Sequence, residues 1–518
     1  MLEIAFRPDR QTAEPLYRQL EHYLRGLIEA DRLPPETKLP ASRELAAALG
    51  LARVTVVTAY ERLTRDGLLT SHVGQGSFVA ARAVASPPGP RSTSRSFVWE
   101  GLFAQRARLL ELPAGMAIRA SGDGPRYDFR GGQVDVDSLP LAALRRALAS
   151  AIRRHGAELA GPPGGYGWLP LRREIARLLV SRGIECEPGE VAVVSGAQQV
   201  VDLVARVLVD PGDTVVVEQP GYFGAALAFR AAQANLVGVS VDGDGLSTVE
   251  LERVLRVRRV KLVYATPGSQ SPTGVVMSET RRREFLTLAD EHQTPILEDD
   301  YAAELRYRAP AVSALKALDH AGQVIYAGTF SKVLFPSFRI GFVVAAEPLL
   351  RKMALARWNA DGGAPLLAEI ALTTLVRSGE LERHLRRLRK LYAARLASLL
   401  EALGAAMPPG VEWREPSAGH GVWLTLPREI DGEALCRDAA AEGILYTRGN
   451  AFHLDGEGSS YCDLSFARLS QSMIVEGIER FAAIVRRHLR GAGLARRARR
   501  VGGANHKRPA GGLRVANR

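Results

Sequence analysis

Cysteine is scarce: 518 residues hold three, Cys186, Cys436 and Cys462, with no Cys-x-x-Cys pair. That excludes a disulfide frame and a thiolate zinc site, and it fits a reducing cytoplasm. Long apolar runs are missing too. None approaches the roughly 18 uninterrupted residues that a membrane span needs. The opening MLEIAFRPDR lacks the basic-then-apolar order of a secretion signal. The ten histidines are scattered, so no metal-ligand spacing stands out among them.

What the chain does hold is an ordinary folded composition, 46% hydrophobic and 24% charged. Its length implies about three domains. The net charge of +12 is compatible with nucleic acid. Much of that excess lies past Arg490, where Arg496, Arg497, Arg499, Arg500, Lys507 and Arg508 stand among glycines and alanines without an acid. Residues 490–518 therefore read as a disordered basic tail.

Leu16, Leu20, Leu24, Leu27 and Ile28 recur at helical spacing and predict a first helix. Beyond Pro34-Pro35 and Pro40 the pattern predicts a helix over 42–49, a turn at Gly50 and a helix over 53–65, the helix-turn-helix arrangement. Val57, Tyr60 and Leu63 are expected to face inward. Leu68-Leu-Thr70 and Phe78-Val-Ala80, broken by Gly74-Gln75-Gly76, read as a hairpin, the wing. A recognition helix presents polar donors to base edges while other contacts position it on phosphates. Arg53 and Thr55 at the start of the third helix, Arg43 at the start of the second, and Gly74, Gln75 and Gly76 at the wing are thus candidate contacts to double-stranded DNA. Residues 1–80 form this module, and a linker over 81–125 follows, opened by Ser86-Pro-Pro-Gly-Pro-Arg-Ser-Thr-Ser94.

From about Tyr127 strands alternate with helices. The predicted strands are 191–194, 214–218, 261–266, 294–298 and 324–327, with a helix over 198–209. Short continuous apolar runs between helices imply a mainly parallel sheet covered on both faces. Ligands bind beyond the carboxyl ends of such strands. Ser195-Gly-Ala197, Tyr222, Asp299, Tyr301 and Lys332 all fall there. From about 381 the chain reads as a smaller α+β unit completing a body over 126–489.

Lys332 ends Tyr326-Ala-Gly-Thr-Phe-Ser-Lys332, just past one strand, and Glu298-Asp-Asp-Tyr301 ends the preceding one. An acid and a tyrosine after one strand and a lysine after the next is the set that pyridoxal 5'-phosphate (PLP) chemistry requires. The lysine forms the Schiff base, the carboxylate keeps the pyridine nitrogen protonated, and the phenol steadies the ring oxygen.

The chain also carries Leu39-Pro-Ala-Ser-Arg-Glu-Leu45, Tyr60-Glu-Arg-Leu63, Gly165-Tyr-Gly167, Gly196-Ala-Gln-Gln199, Pro220-Gly-Tyr222, Pro272-Thr-Gly274 and Thr329-Phe-Ser-Lys332. In their order and spacing they resemble the MocR/GabR family of bacterial regulators, a GntR-type winged helix fused to a fold-type I aminotransferase-like domain. The resemblance runs from about Glu14 to Leu489. It implies a homodimer in which Lys332 carries PLP, Asp299 meets the pyridine nitrogen and Tyr301 the ring hydroxyl. Tyr222 would stack on the ring. Gln198 and the backbone of Ala197, with Thr329, Ser331 and Arg339, would hold the phosphate at a helix N-terminus. The function implied is a PLP-dependent regulator of transcription that senses an amine, an amino acid or PLP itself. The alternative is an active aminotransferase with an appended DNA-binding module.

Some positions depart from the family's pattern. Ser271 precedes Pro272 where asparagine is common, and Ser269-Gln270 stands where His-Gln is frequent. Ala41, Ala52 and Val54 replace small hydroxyl residues in the DNA-binding module. Asp463 opens Asp463-Leu-Ser-Phe-Ala467 where family members carry an arginine that grips a substrate carboxylate. A carboxylate repels such a group; Arg448 and Arg468 lie near enough in sequence to be considered as substitutes.

Overall fold

The computed structural model describes residues 6, 8–9, 12, 14–29, 32–72, 76–80, 102–111, 125–132, 134–161, 164–306, 313–363 and 365–504, with side chains described as far as 492. The chain divides into two compact units, Met1–Leu102 and Phe103–Arg518.

In the first unit α1 (Leu16–Glu29), α2 (Ser42–Leu49) and α3 (Arg53–Arg65) precede a hairpin of β1 (Leu69–His72) and β2 (Gly76–Val79). Apolar residues at helical spacing close one core from Leu20 and Leu24 of α1, Leu45 of α2, and Val56, Ala59, Tyr60 and Leu63 of α3. The inward row on α3 corrects the expected one: Val56 takes the core position and Val57 is half-buried. Positions 56, 59, 60 and 63 follow the i, i+3, i+4, i+7 stripe, whereas a strict step of three drifts off a 3.6-residue helix. Gly50, at φ +62, ends α2 in the left-handed region and lets the chain reverse before α3. Glu21 of α1 is buried and accepts hydrogen bonds from Arg62 Nε at 2.6 Å and Arg25 Nη2 at 3.1 Å, which ties α1 to α3. Lys38 bridges to Phe78 and adds a third strand position beside the hairpin. Gly74 and Gln75, expected at the wing tip, lie outside the described residues; Gly76 opens β2.

The second unit opens with the short β3 (Tyr127–Asp128) and builds its large sheet from β4 (Val191–Val194), β5 (Thr214–Gln219), β6 (Asn235–Asp242), β7 (Gly245–Leu246), β8 (Val260–Ala265), β9 (Ile296–Asp300), β10 (Val324–Thr329) and β11 (Gly341–Val344). The strand order is β4-β11-β10-β9-β8-β5-β6-β7. The central strands β10, β9, β8, β5 and β6 pair in parallel, and β11 runs antiparallel between β10 and β4. The mainly parallel sheet is therefore present, with β6, β7 and β11 beyond what the apolar runs predict. β9 also ends two residues later than expected and takes Asp299 and Asp300 into the strand.

A smaller sheet follows, with order β12 (Glu412–Trp413), β13 (Gly421–Thr425), β16 (Tyr461–Ser465) and β15 (Thr447–Arg448). β14 (Ile444–Leu445) pairs in parallel with β3, so the start of this unit is stitched to its end. Within the span read as a linker, Gln105–Leu109 forms a 3-10 turn packed on the helix Phe223–Ala231. The last helix runs Gln471–Ala504, so the backbone of 490–504 is helical where the composition suggests disorder. Alanine, arginine and leucine are all good helix formers, and a packed helix from 471 supplies the nucleus. Residues 505–518 lie outside the described ones. Among the described residues no helix is long and apolar enough to cross a membrane.

Candidate cofactor pocket and nucleic-acid face

β9, β10 and the helix Ala197–Leu208 converge on a cavity of about 290 Å³. It is lined by Lys332, Asp299, Tyr301, Tyr222, Ala197, Gln198, Thr329, Ser331 and Arg339, all nine of the expected cofactor residues. The strand pleat explains the selection within Glu298-Asp-Asp-Tyr301. Alternate residues point to opposite faces, so Asp299 and Tyr301 reach the cavity. Glu298 turns away and accepts from the backbone N–H groups of Leu315 at 2.9 Å and Lys316 at 2.8 Å. Asp300 accepts from the Tyr326 hydroxyl at 2.9 Å.

Asp299 is buried and accepts a hydrogen bond from Tyr264 Oη at 2.9 Å; its other oxygen has no partner among the described residues. Burial pushes its carboxyl up to about 6, against the pull of the Tyr264 hydrogen bond and the Lys332 charge. Lys332 is half-buried on the cavity wall, and desolvation there pulls its ammonium down, opposed by Asp299 and Asp463. The amine is thus closer to its neutral, nucleophilic form than an exposed lysine's. Burial likewise pushes the Tyr222 phenol up to about 12.

The phosphate end is built from backbone as much as side chain. Gly196, at φ +89, caps the helix Ala197–Leu208, and a Cβ there would lie 3.0 Å from Arg339 Nη2. Arg339 Nη2 donates to Ser195 O at 2.8 Å. Thr329 Oγ1 accepts from Ser331 N at 3.1 Å, while Ser331 Oγ has no partner among the described residues. Gln198 donates to Gly224 O at 2.8 Å, and its side-chain oxygen has no partner among the described residues. First-turn N–H groups of a helix have no partner of their own. Unpaired atoms on Asp299, Ser331 and Gln198 around one lysine fit a polar group with a ring nitrogen at one end and a phosphate at the other.

Tyr264 and His420 also matter here, and the residue pattern did not single them out. Tyr264 lies inside an apolar strand run and its role appears only through its contact with Asp299. His420 precedes β13, lines the cavity and stacks edge-on to Tyr301 at 6.2 Å. Burial, then the Lys332 charge, pull its ring down to about 3, so it is neutral. Ser269, Ser271 and Asp463 line the cavity as well. Gln270 is buried instead in a local network with Glu218, Pro220 O and Ser271 O. Neither Arg448 nor Arg468 lines the cavity, and Arg468 pairs with Asp128 at 3.3 Å. No cluster of metal-binding side chains occurs among the described residues.

On the first unit, Arg43 and Arg53 are exposed and Thr55 is half-buried at the start of α3. Val54, an apolar side chain beside Arg53, is 69% exposed.

Residues 16–79 match the family model "Bacterial regulatory proteins, gntR family", and residues 128–481 match "Aminotransferase class I and II". A Rhizobium meliloti protein named "Probable rhizopine catabolism regulatory protein MocR" is 33% identical over 91% of this chain and 94% of its own length. The chain belongs to the MocR family of transcription regulators. A Bacillus subtilis member, the HTH-type transcriptional regulator YdfD, is 28% identical over 91% of this chain and 96% of its own. Among solved structures, the alpha-aminoadipate aminotransferase LysN of Thermus thermophilus, complexed with N-(5'-phosphopyridoxyl)-L-leucine, superposes with a TM-score of 0.70. It shares 29% identity over 76% of this chain and 99% of that one. As a MocR-type protein, this chain is a DNA-binding transcription regulator whose aminotransferase-like domain takes PLP.

Proposed function

We propose that the aminotransferase-like domain reports a small amine, an amino acid or PLP itself to the winged helix, and that the protein works as a cytoplasmic homodimer on operator DNA. The observation that carries this reading is a complete lysine, acid and tyrosine set around one cavity in a chain that also holds a gntR-family domain. PLP supplies an aldehyde that condenses with amines and a ring that draws off electrons. Lys332 would hold it covalently, its amine kept nucleophilic by burial. Asp299, steadied by Tyr264, would meet the pyridine nitrogen, and Tyr301 the ring oxygen. Tyr222 would cover the ring. Gln198, Thr329, Ser331, Arg339 and the backbone at Ala197 would hold the phosphate. On the DNA side, Arg53 and Thr55 would face bases, Arg43 the backbone or a base, and the wing at Gly74, Gln75 and Gly76 the minor groove.

A gel shift with DNA from beside the protein's own gene tests the reading, using wild type and Lys332→Ala with and without PLP. Specific binding that PLP alters in wild type but not in the variant is expected. Absence of specific binding in every condition would overturn it. The completeness of the Lys332, Asp299 and Tyr301 set favours a second reading, a working aminotransferase with an appended DNA-binding module. Multiple turnover with an amino donor and a keto acceptor would establish that one.

A further inference from the structure

The cavity holds four charged side chains among the described residues: Lys332, Arg339, Asp299 and Asp463. Three have work in the cofactor reading proposed above, on which this inference rests. Asp463 has none.

It sits on β16 between Trp423 of β13 and Thr447 of β15, at the wall contributed by the smaller sheet. Two glycines open that wall. A Cβ on Gly421 would lie 2.4 Å from Asp463 Oδ1, and one on Gly131 would lie 3.6 Å from Asp463 Oδ2 and 3.7 Å from His420 Nε2. Asp463 and His420 therefore look onto the same point. One is an anion when ionised and the other a neutral ring, and both can accept hydrogen bonds. Among the described residues no side chain donates a hydrogen bond to the Asp463 carboxylate, and the charge that reaches it is the Lys332 ammonium. Once Lys332 is engaged by cofactor, that ammonium is withdrawn and a half-buried carboxylate on the cavity wall is left without a counter-charge, which is unfavourable. Phe223, Phe452 and Pro272 add apolar side chains to the same cavity lining.

We propose that the effector is a dicationic amine, such as an α,ω-diamine, whose distal ammonium pairs with Asp463 beside His420. The apolar lining takes the methylene chain. A ligand ending in a carboxylate meets Asp463 as a like charge and finds no free arginine among the residues lining the cavity.

The test titrates PLP-loaded protein with 1,4-diaminobutane, 1-aminobutane and 4-aminobutanoate, reading affinity by calorimetry and by the visible spectrum. Wild type should favour the diamine over both others by about ten- to a hundredfold, the worth of one charge-assisted hydrogen bond. Asp463→Asn, which is isosteric, should erase that preference, and Asp463→Arg should shift it toward 4-aminobutanoate. Wild type that prefers 4-aminobutanoate or shows no preference would overturn the proposal, as would an Asp463→Asn variant that keeps the diamine preference. Failure of the cofactor reading looks different: PLP then gives no visible band dependent on Lys332, before any amine is added.

Discussion

Burial pushes the Asp463 carboxyl up to about 7 from 3.8, against the pull of the Lys332 charge. Below the lower value it is protonated in both folded and unfolded chains and costs nothing. Between about 3.8 and 7 the unfolded chain ionises while the folded one keeps the proton, so stability falls progressively across that window and the loss is complete and constant above 7. Asp463→Asn in cofactor-free protein should therefore raise the melting temperature at about pH 8 and leave it nearly unchanged at about pH 4. One pKa unit is worth about 1.4 kcal/mol, so the gain is of the order of a few kcal/mol; equal gains at both pH values would contradict the assignment. Tyr264→Phe removes the described hydrogen bond to Asp299. PLP affinity should fall by roughly tenfold, read by equilibrium dialysis, and unchanged affinity would free Asp299 from that support. Of this pair only Asp299 was legible in the sequence. Lys332, Asp299 and Tyr301 were legible because their order along two strands carries the chemistry; Tyr264 and His420 were not, since a tyrosine in an apolar strand reads as core.

In α3 the two faces separate cleanly. Leu63 is fully buried, and Leu63→Ala should cost about 2–5 kcal/mol of the winged helix's stability, with DNA binding lost as the domain melts. Arg53 is exposed. Arg53→Ala should leave the melt unchanged and weaken operator binding by about 1–3 kcal/mol while relaxing specificity. Equal losses on operator and random DNA would make it a phosphate contact. The three helices of this module were readable, with the approximate bounds of α2 and α3, because amphipathic spacing and the Gly50 stop are local signals. The end of β9 was not, because Asp299 and Asp300 are polar and belong to the strand through backbone pairing with Ala327 and Gly328 of β10.

For the molecule as a whole, the proposed homodimer predicts a sedimentation mass of about twice the 56.1 kDa of the chain, and a monomer at working concentration would remove it. The sequence by itself determined the two-part plan, the winged helix, the alternating body and a lysine, an acid and a tyrosine that line one cavity. Those rest on short-range periodicity and on chemistry that needs particular residue types. Tertiary structure alone decided that Tyr264 supports Asp299, that His420 and Asp463 share one wall of the pocket, and that Arg448 and Arg468 stay off it. Those residues lie tens to hundreds of positions apart, and the pairing of β13, β15 and β16, rather than any local pattern, sets which side chains meet.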